Sequence, residues 1–325
     1  METISSSSTN PPPFPRVLRI EPASQCNLSC SHCPTGTVDM DRGIMTNETF
    51  ENILRNIEEN KSYVKVVVLY HGGEPFLNKN FFKYVDAIKK INSEIFIKTV
   101  SNGMALTEST AKKILNSELD AIEFSLDGLS AEESQHIRAQ SKTSKIIKQV
   151  KHLITEKINN KHGKPLISIA TTQFIRKSDK EKIPSEAPIP DWFFYEFGDY
   201  VNYKTGFAMR WPHMGDSVGF ELLETLGDDV NECDHVISTI TVRADGSVVP
   251  CCYDLTSKLT MGNVNSNSLL NIWNGKKYEI LRTAINKKRF YSICTTCAVV
   301  TPPVYLIPTW AHEIKFSKKD TSTHI

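Results

Sequence analysis

The chain has no stretch that approaches the ~20 consecutive apolar residues needed to span a bilayer, and its Ser- and Pro-rich opening, Met1 to Pro15, carries no apolar leader core. It also lacks a surplus of either charge: 38 Lys and Arg face 37 Asp and Glu, for a formal net charge of +1. So even a balance gives no electrostatic footprint for a nucleic-acid backbone or an anionic membrane, and short basic clusters such as Asn286-Lys287-Lys288-Arg289 read as solvated surface. There is no solenoid-type repeat. What remains is 325 residues, 40% of them hydrophobic, enough to bury one substantial core and an appendage. The expectation is a soluble cytoplasmic protein with neither membrane nor nucleic acid as partner.

Cysteine is plentiful by contrast: Cys26, Cys30, Cys33, Cys233, Cys251, Cys252, Cys294 and Cys297. Reducing conditions in the cytosol argue against a disulfide framework, which leaves metal or redox chemistry.

The first two-thirds alternates short β-branched runs with amphipathic stretches. Val17 to Ile20, Val64 to Tyr70, Ile95 to Val100, Ala121 to Leu126 and Leu166 to Phe174 read as strands. Phe50 to Ile57, Phe81 to Ile91, Thr107 to Leu115 and Thr143 to Ile158 read as helices between them. Repeated βα units predict an α/β fold, a partial (β/α)6 TIM-like barrel, with Tyr200 to Arg210 as the sixth strand. The aromatic-rich segment Asp191 to Met214 either covers the active site or packs the barrel's open edge. After about Asn231 a hairpin, Ser238–Arg243 with Ser247–Pro250, and one helix, Leu269 to about Ile285, make a small second unit. The predicted divisions are a disordered lead 1–15, a barrel 16–215, a linker 216–230, a small domain 231–305 and a tail 306–325.

Cys26, Cys30 and Cys33 follow the first strand directly, at the end of a parallel barrel where chemistry is placed. Three thiolates on a four-iron cubane leave one iron open to a chelating small molecule. A structural zinc site needs a fourth ligand, for which His32 is the only nearby candidate. Farther on, Cys233 stands twelve residues before Gly246, Cys251 four after it, and Cys294-Thr295-Thr296-Cys297 closes the set. Four cysteines in this order fit an iron-sulfur cluster or a zinc ribbon. Cys252 is left over, because neighbours in an extended segment point to opposite faces.

In the three-cysteine spacing and the Gly72-Gly73-Glu74-Pro75 that ends the second strand, the chain resembles the radical S-adenosylmethionine (radical SAM) enzymes, over roughly Val17 to Tyr305. The second cysteine set resembles the family's auxiliary-cluster domain of SPASM type in its shortened, single-cluster twitch form. The resemblance implies two [4Fe-4S] clusters, one at Cys26, Cys30 and Cys33 and one at Cys233, Cys251, Cys294 and Cys297. It implies S-adenosylmethionine as cofactor, cleaved to a 5′-deoxyadenosyl radical that abstracts hydrogen from substrate. Gly72, Gly73, Glu74 and Pro75 then lie at the methionine amino group and Arg138 at its carboxylate. Ser101, Asn102, Ser125 and Asp127 lie at the nucleoside, with His32 beside the adenine. A small-molecule substrate and an electron donor such as flavodoxin or ferredoxin are the implied partners. Aminocyclitol dehydrogenase and carbohydrate-modifying relatives are the nearest resemblance, which favours oxidation of a polar alcohol. Epimerisation with Cys252 as hydrogen-atom donor, maturation of a ribosomal peptide, and a non-catalytic metal-binding scaffold are the alternatives.

Overall fold

Strand-forming residues alternate in depth along the first strand, where Leu18 and Ile20 are fully buried while Arg19 faces the other way. That period of two sets the plan of a sheet with one face under helices and the other lining a lumen. The structure, a computed structural model, describes residues 11–212, 214 and 219–310. In chain order it runs β1 (Val17–Ile20), α1 (Pro34–Thr37), α2 (Asn47–Glu59), β2 (Val66–Val68), α3 (Phe81–Ile91), β3 (Phe96–Ser101) and α4 (Glu108–Leu115). Next come β4 (Ala121–Ser125), α5 (Ala131–Ile137), α6 (Thr143–Asn159), β5 (Leu166–Gln173), α7 (Asp191–Phe197), β6 (Asn202–Phe207) and β7 (Phe220–Glu224). The chain then gives α8 (Asp234–Ser238), β8 (Thr239–Val242), β9 (Ser247–Val249), β10 (Gly262–Asn263), α9 (Leu269–Trp273), α10 (Lys276–Asn286) and β11 (Val304–Pro308).

Strands β1 to β6 lie side by side in sequence order, every pair parallel, which is the half-wound barrel the alternation predicted. Helices cover its outer face; Phe50 of α2 stacks on Tyr84 of α3 at 3.6 Å between ring centroids. Side-chain caps begin several of them, as where Thr46 accepts a hydrogen bond from Thr49 N at 3.1 Å. Among the described residues no helix is long and apolar enough to cross a membrane.

The second unit does not form a sheet of its own. β8 pairs in parallel with β1, Val17 opposite Thr239 through Ile20 opposite Val242, and the antiparallel β9 and β10 continue outward. All four residues of β8 are buried, as a strand inside a larger sheet requires. Part of the expected linker is a strand too: β7 pairs antiparallel with β11, so residues 304–308 belong to a two-stranded sheet rather than wholly to a tail. Residues 216–218 of the expected linker, 1–10 of the lead and 311–325 of the tail lie outside the described residues, as do 213 and 215 at the end of the expected barrel. The end of the lead is packed, not free: Phe14 is fully buried and Trp273 Nε1 donates to Pro12 O at 2.9 Å. The single helix expected over 269–285 breaks into α9 and α10 at Asn274-Gly275. A Cβ on Gly275 would come within 2.8 Å of Asn271 O, so the break turns tightly over the preceding carbonyls.

Candidate active site

Each barrel strand delivers its next residues to one end. β1 leads through Glu21 into the cysteine loop, β2 into His71-Gly72-Gly73-Glu74, β3 into Asn102, β4 into Asp127 and β5 into Phe174. A cavity of about 180 Å³ lies there, with Cys26, Cys30, Cys33, Glu74, Ser125 and Arg138 among its lining. Gly72, Gly73, Ser101, Asn102 and His32 line it as well. Nearly all the residues singled out in the first half of the sequence therefore meet at one place.

Close backbone approach explains the paired glycines. A Cβ on Gly73 would stand 2.3 Å from Ala23 O, so a side chain there would push the turn off the cysteine loop. Glu74 N donates to Gln25 O at 2.8 Å, tying the two loops together. The Glu74 carboxylate is almost fully buried and accepts from Ser101 Oγ at 2.9 Å, Asn102 N at 2.8 Å and Phe76 N at 3.2 Å. Burial pushes this carboxyl up and those hydrogen bonds pull it back. Pro75 opens a short turn behind Glu74 and is not among the residues lining the cavity.

Asp127 also stands behind the cavity wall rather than in it. Its Oδ1 accepts from Thr172 N at 3.0 Å and its Oδ2 from Arg138 Nη1 at 2.6 Å, while His32 Nε2 is 3.6 Å away. Arg138 caps the end of α5, and its Nε is buried without a hydrogen-bond partner. Asp127 thus holds Arg138 in place, and of the two residues expected at the nucleoside Ser125 lines the cavity while Asp127 stands behind it. Burial pushes the His32 imidazole down, against the pull of Asp127, and the ring stands edge-on to Phe174 at 5.7 Å.

The second cysteine set closes elsewhere. Cys233, Cys251, Cys294 and Cys297 border one cavity whose remaining walls are mostly apolar, with Val236, Leu281, Ile285 and Ile293 among them. Cys252 faces away from it, into a larger chamber of about 310 Å³ that shares His32, Cys33, Tyr70 and His71 with the first cavity. The two neighbouring cysteines do face different cavities, although they lie in a bend and turn after β9 and not in the extended segment from which strand alternation was argued. The Cys252 Sγ is 3.9 Å from the ring nitrogens of His235. Burial raises this thiol, but His235 and Arg19 outweigh it and bring it below the ordinary range. From the aromatic segment Trp211 lines the chamber, whereas Phe193 and Phe197 of α7 are buried in the core, so the segment meets the chamber at one end and packs the barrel at the other.

Sequence reasoning missed the group that joins the two halves. Glu21 is fully buried, with Oε1 accepting from Gly72 N at 2.8 Å and lying 3.3 Å from His71 Nδ1. Its Oε2 accepts from Ala244 N at 3.1 Å and Arg243 Nε at 3.3 Å. Burial opposes the charge, yet His71, Arg243 and the Ala244 amide hold the carboxyl down at about 2. The available signal was an acid directly after a wholly buried strand. Arg19, Arg210 and His235 gave no such signal, since each depends on where distant loops meet.

Two family models match the chain: the radical SAM superfamily over residues 20–169 and an iron-sulfur cluster-binding domain, SPASM, over residues 233–298. A radical SAM domain thus occupies residues 20–169. Among curated proteins, this chain is similar to the tungsten-containing aldehyde ferredoxin oxidoreductase cofactor-modifying protein of Pyrococcus furiosus, 25% identical across 87% of each chain. It is also 25% identical to mycofactocin maturase MftC of Mycolicibacterium smegmatis, over 39% of this chain and 31% of that protein. Among solved structures, BtrN in complex with AdoMet and 2-DOIA has a TM-score of 0.55 at 18% identity, over 87% of this chain and 93% of that one, a likeness of fold.

The cofactors of such an enzyme are S-adenosylmethionine and a [4Fe-4S] cluster, with iron-sulfur chemistry in the second domain as well. The donor chemistry fits them at both places. Burial pushes Cys30 up to about 12, Cys294 to about 12 and Cys297 to about 11, so a thiolate at these positions needs a cationic partner, which iron supplies. Among the described residues no three His, Cys, Asp or Glu side chains draw together as they would round a single ion. A cluster of several irons is larger and takes its thiolates at separate corners. The first set opens onto polar groups that suit an amino acid and a nucleoside; the second is enclosed.

Proposed function

We propose that this radical SAM enzyme abstracts hydrogen from a small polar substrate held in the chamber in front of Cys252, and that Cys252 returns a hydrogen atom to the opposite face, inverting a carbon centre. The observation that carries the reading is that Cys252 lines the chamber while Cys251 joins the other three thiols of the second set. When bound, the open cluster and S-adenosylmethionine supply one electron and a 5′-deoxyadenosyl radical. Cys26, Cys30 and Cys33 would hold the first cluster; Cys233, Cys251, Cys294 and Cys297 would hold the second. Glu74 fixes the Gly72–Gly73 turn against which the methionine amino group sits, and Arg138 takes the carboxylate. Ser101, Asn102 and Ser125 meet the nucleoside, with the neutral His32 ring beside the adenine. After Cys252 gives up its hydrogen atom, one electron from an external donor of flavodoxin or ferredoxin type and one proton restore the thiol. His235, at 3.9 Å, is placed to return that proton.

Oxidation of an alcohol is the second reading. It is favoured by the lining of the same chamber by Tyr253 and Ala298, each within two residues of a cysteine of the second set, so that an electron has little distance to cover. Turnover in deuterated water against a panel of polyols, sugar acids and sugar phosphates separates the two. Inversion gives an isomer with one deuterium at carbon, and Cys252→Ala stops it while 5′-deoxyadenosine still forms. A product lighter by two hydrogens, without deuterium and indifferent to Cys252→Ala, would replace inversion by oxidation.

A further inference from the structure

The chamber's charge identifies its occupant further, on the reading that this chamber is where substrate is held. Two arginines line it, Arg19 from the lumen face of β1 and Arg210 from the segment after β6, and among its described lining residues none is Asp or Glu. The Arg19 guanidinium lies over the Tyr70 ring at 5.1 Å, and its Nε is buried without a hydrogen-bond partner. Arg210 donates from Nη2 to Met214 O at 3.2 Å, and its Nε is likewise buried and unpartnered.

The neighbouring acids are committed elsewhere. Glu21 serves His71, Gly72 N, Ala244 N and Arg243, and Asp127 serves Arg138 and Thr172 N. Glu123 pairs with Lys204. The second thiol set borders a separate cavity that neither arginine lines. Two thiols, Cys33 and Cys252, share the lining, so it is the lack of a carboxylate among its described residues that leaves the planar guanidinium forks for the carboxylate or phosphate oxygens of a ligand.

We propose that the substrate is an anion whose carboxylate or phosphate group is held by Arg19 and Arg210, with its reacting carbon toward Cys252. An amine such as an aminocyclitol would bring its ammonium group to a wall of like charge. The specificity therefore departs from the substrate class that the sequence resemblance favours.

The test uses the anaerobically loaded enzyme saturated with S-adenosylmethionine, titrated calorimetrically with inorganic phosphate, acetate and methylammonium. Saturable binding of phosphate or acetate, and none of methylammonium, is expected; the preferred anion tells a phosphoryl from a carboxylate substrate. Arg19→Gln and Arg210→Gln should each weaken that anion about tenfold or more, while Arg19→Lys and Arg210→Lys, which keep the charge, should lose less. Methylammonium binding as well as the anions, or no saturable anion binding, overturns the proposal in the wild-type enzyme alone. Anion affinity unchanged in both Gln variants overturns it too. Failure of the radical reading shows separately, as missing iron or missing 5′-deoxyadenosine with anion binding intact.

Discussion

The two cysteine sites differ in what surrounds the sulfur. The first has three thiols at a loop, bordered by Glu74, Ser101, Asn102 and Arg138, and it adjoins the chamber that Cys252 lines. The second has four thiols inside walls made mostly of Val, Leu and Ile. Three ligands with polar neighbours make a place where a small molecule completes the coordination; four ligands in an apolar shell leave nothing for one to do. On the proposed reading chemistry is confined to one end of the barrel, and the second set stands behind Tyr253, which lines both cavities.

The most severe way to break that contrast is to remove each set in turn. Changing Cys26, Cys30 and Cys33 together to Ala should abolish 5′-deoxyadenosine formation and halve the iron, from roughly eight to about four per chain. Changing Cys233, Cys251, Cys294 and Cys297 to Ala should halve the iron as well but leave S-adenosylmethionine cleavage measurable. Iron analysis with chromatographic detection of 5′-deoxyadenosine checks both, and cleavage surviving the first set of changes would remove the assignment.

A smaller effect is expected where the two halves meet. Glu21→Gln leaves His71 and Arg243 facing a neutral group, and breaking a buried ion pair costs about 3–5 kcal/mol. Glu21 ionises near 2 in the folded chain against an ordinary value of 4.5. A depressed folded-state value contributes stability that is complete above about pH 4.5 and is lost as pH falls toward 2, on the order of 3 kcal/mol in all. Denaturant unfolding followed by circular dichroism should therefore show a wild-type advantage that is constant at neutral pH and shrinks through that window. A gap that does not change with pH would mean that charge at Glu21 is not what couples barrel and hairpin.

Next in size is Arg138→Ala, which should weaken S-adenosylmethionine binding by about one to two decades without loss of iron. Equilibrium dialysis measures the first and iron analysis the second. Unchanged affinity would place the methionine carboxylate elsewhere.

The barrel was legible because its signals are local. The β-branched runs, the i, i+3, i+4 helices and the cysteine spacings are all read within a few residues, whereas Cys251 and Cys252 face different cavities from a turn and not from the extended segment expected. The parallel pairing of β8 with β1 was not, because no pattern in Thr239–Val242 names a partner more than two hundred residues away. The same limit hid the Glu21 junction with Arg243 and the meeting of Arg19 with Arg210. Asp127 is a subtler case: its position at the end of β4 was legible, but its partners, Arg138 Nη1 and Thr172 N, come from elements that the local pattern does not name.

One local signal was present and passed over, and it yields the mildest test of the open site. Ser130 and Glu133 have capping-box spacing, and in the structure Ser130 Oγ accepts from Glu133 N at 3.1 Å while Glu133 Oε2 accepts from Leu129 N at 2.8 Å. This start fixes α5, whose far end is Arg138, with Arg138 N donating to Ser134 O at 3.0 Å. Arg176 secures the same helix through both oxygens of Glu133, at 2.7 and 2.8 Å. Ser130→Ala should cost about 1 kcal/mol of stability, with Glu133 still holding the helix in place. Because the loss acts on the helix that carries Arg138, S-adenosylmethionine affinity should fall a few-fold, well short of Arg138→Ala, with iron content and the second site unchanged. Ser130→Asp, which restores a capping oxygen, should recover both stability and affinity. If the Ala change lowers stability while affinity stays at the wild-type value, Asp127 alone positions the arginine and the helix start has no part in the site.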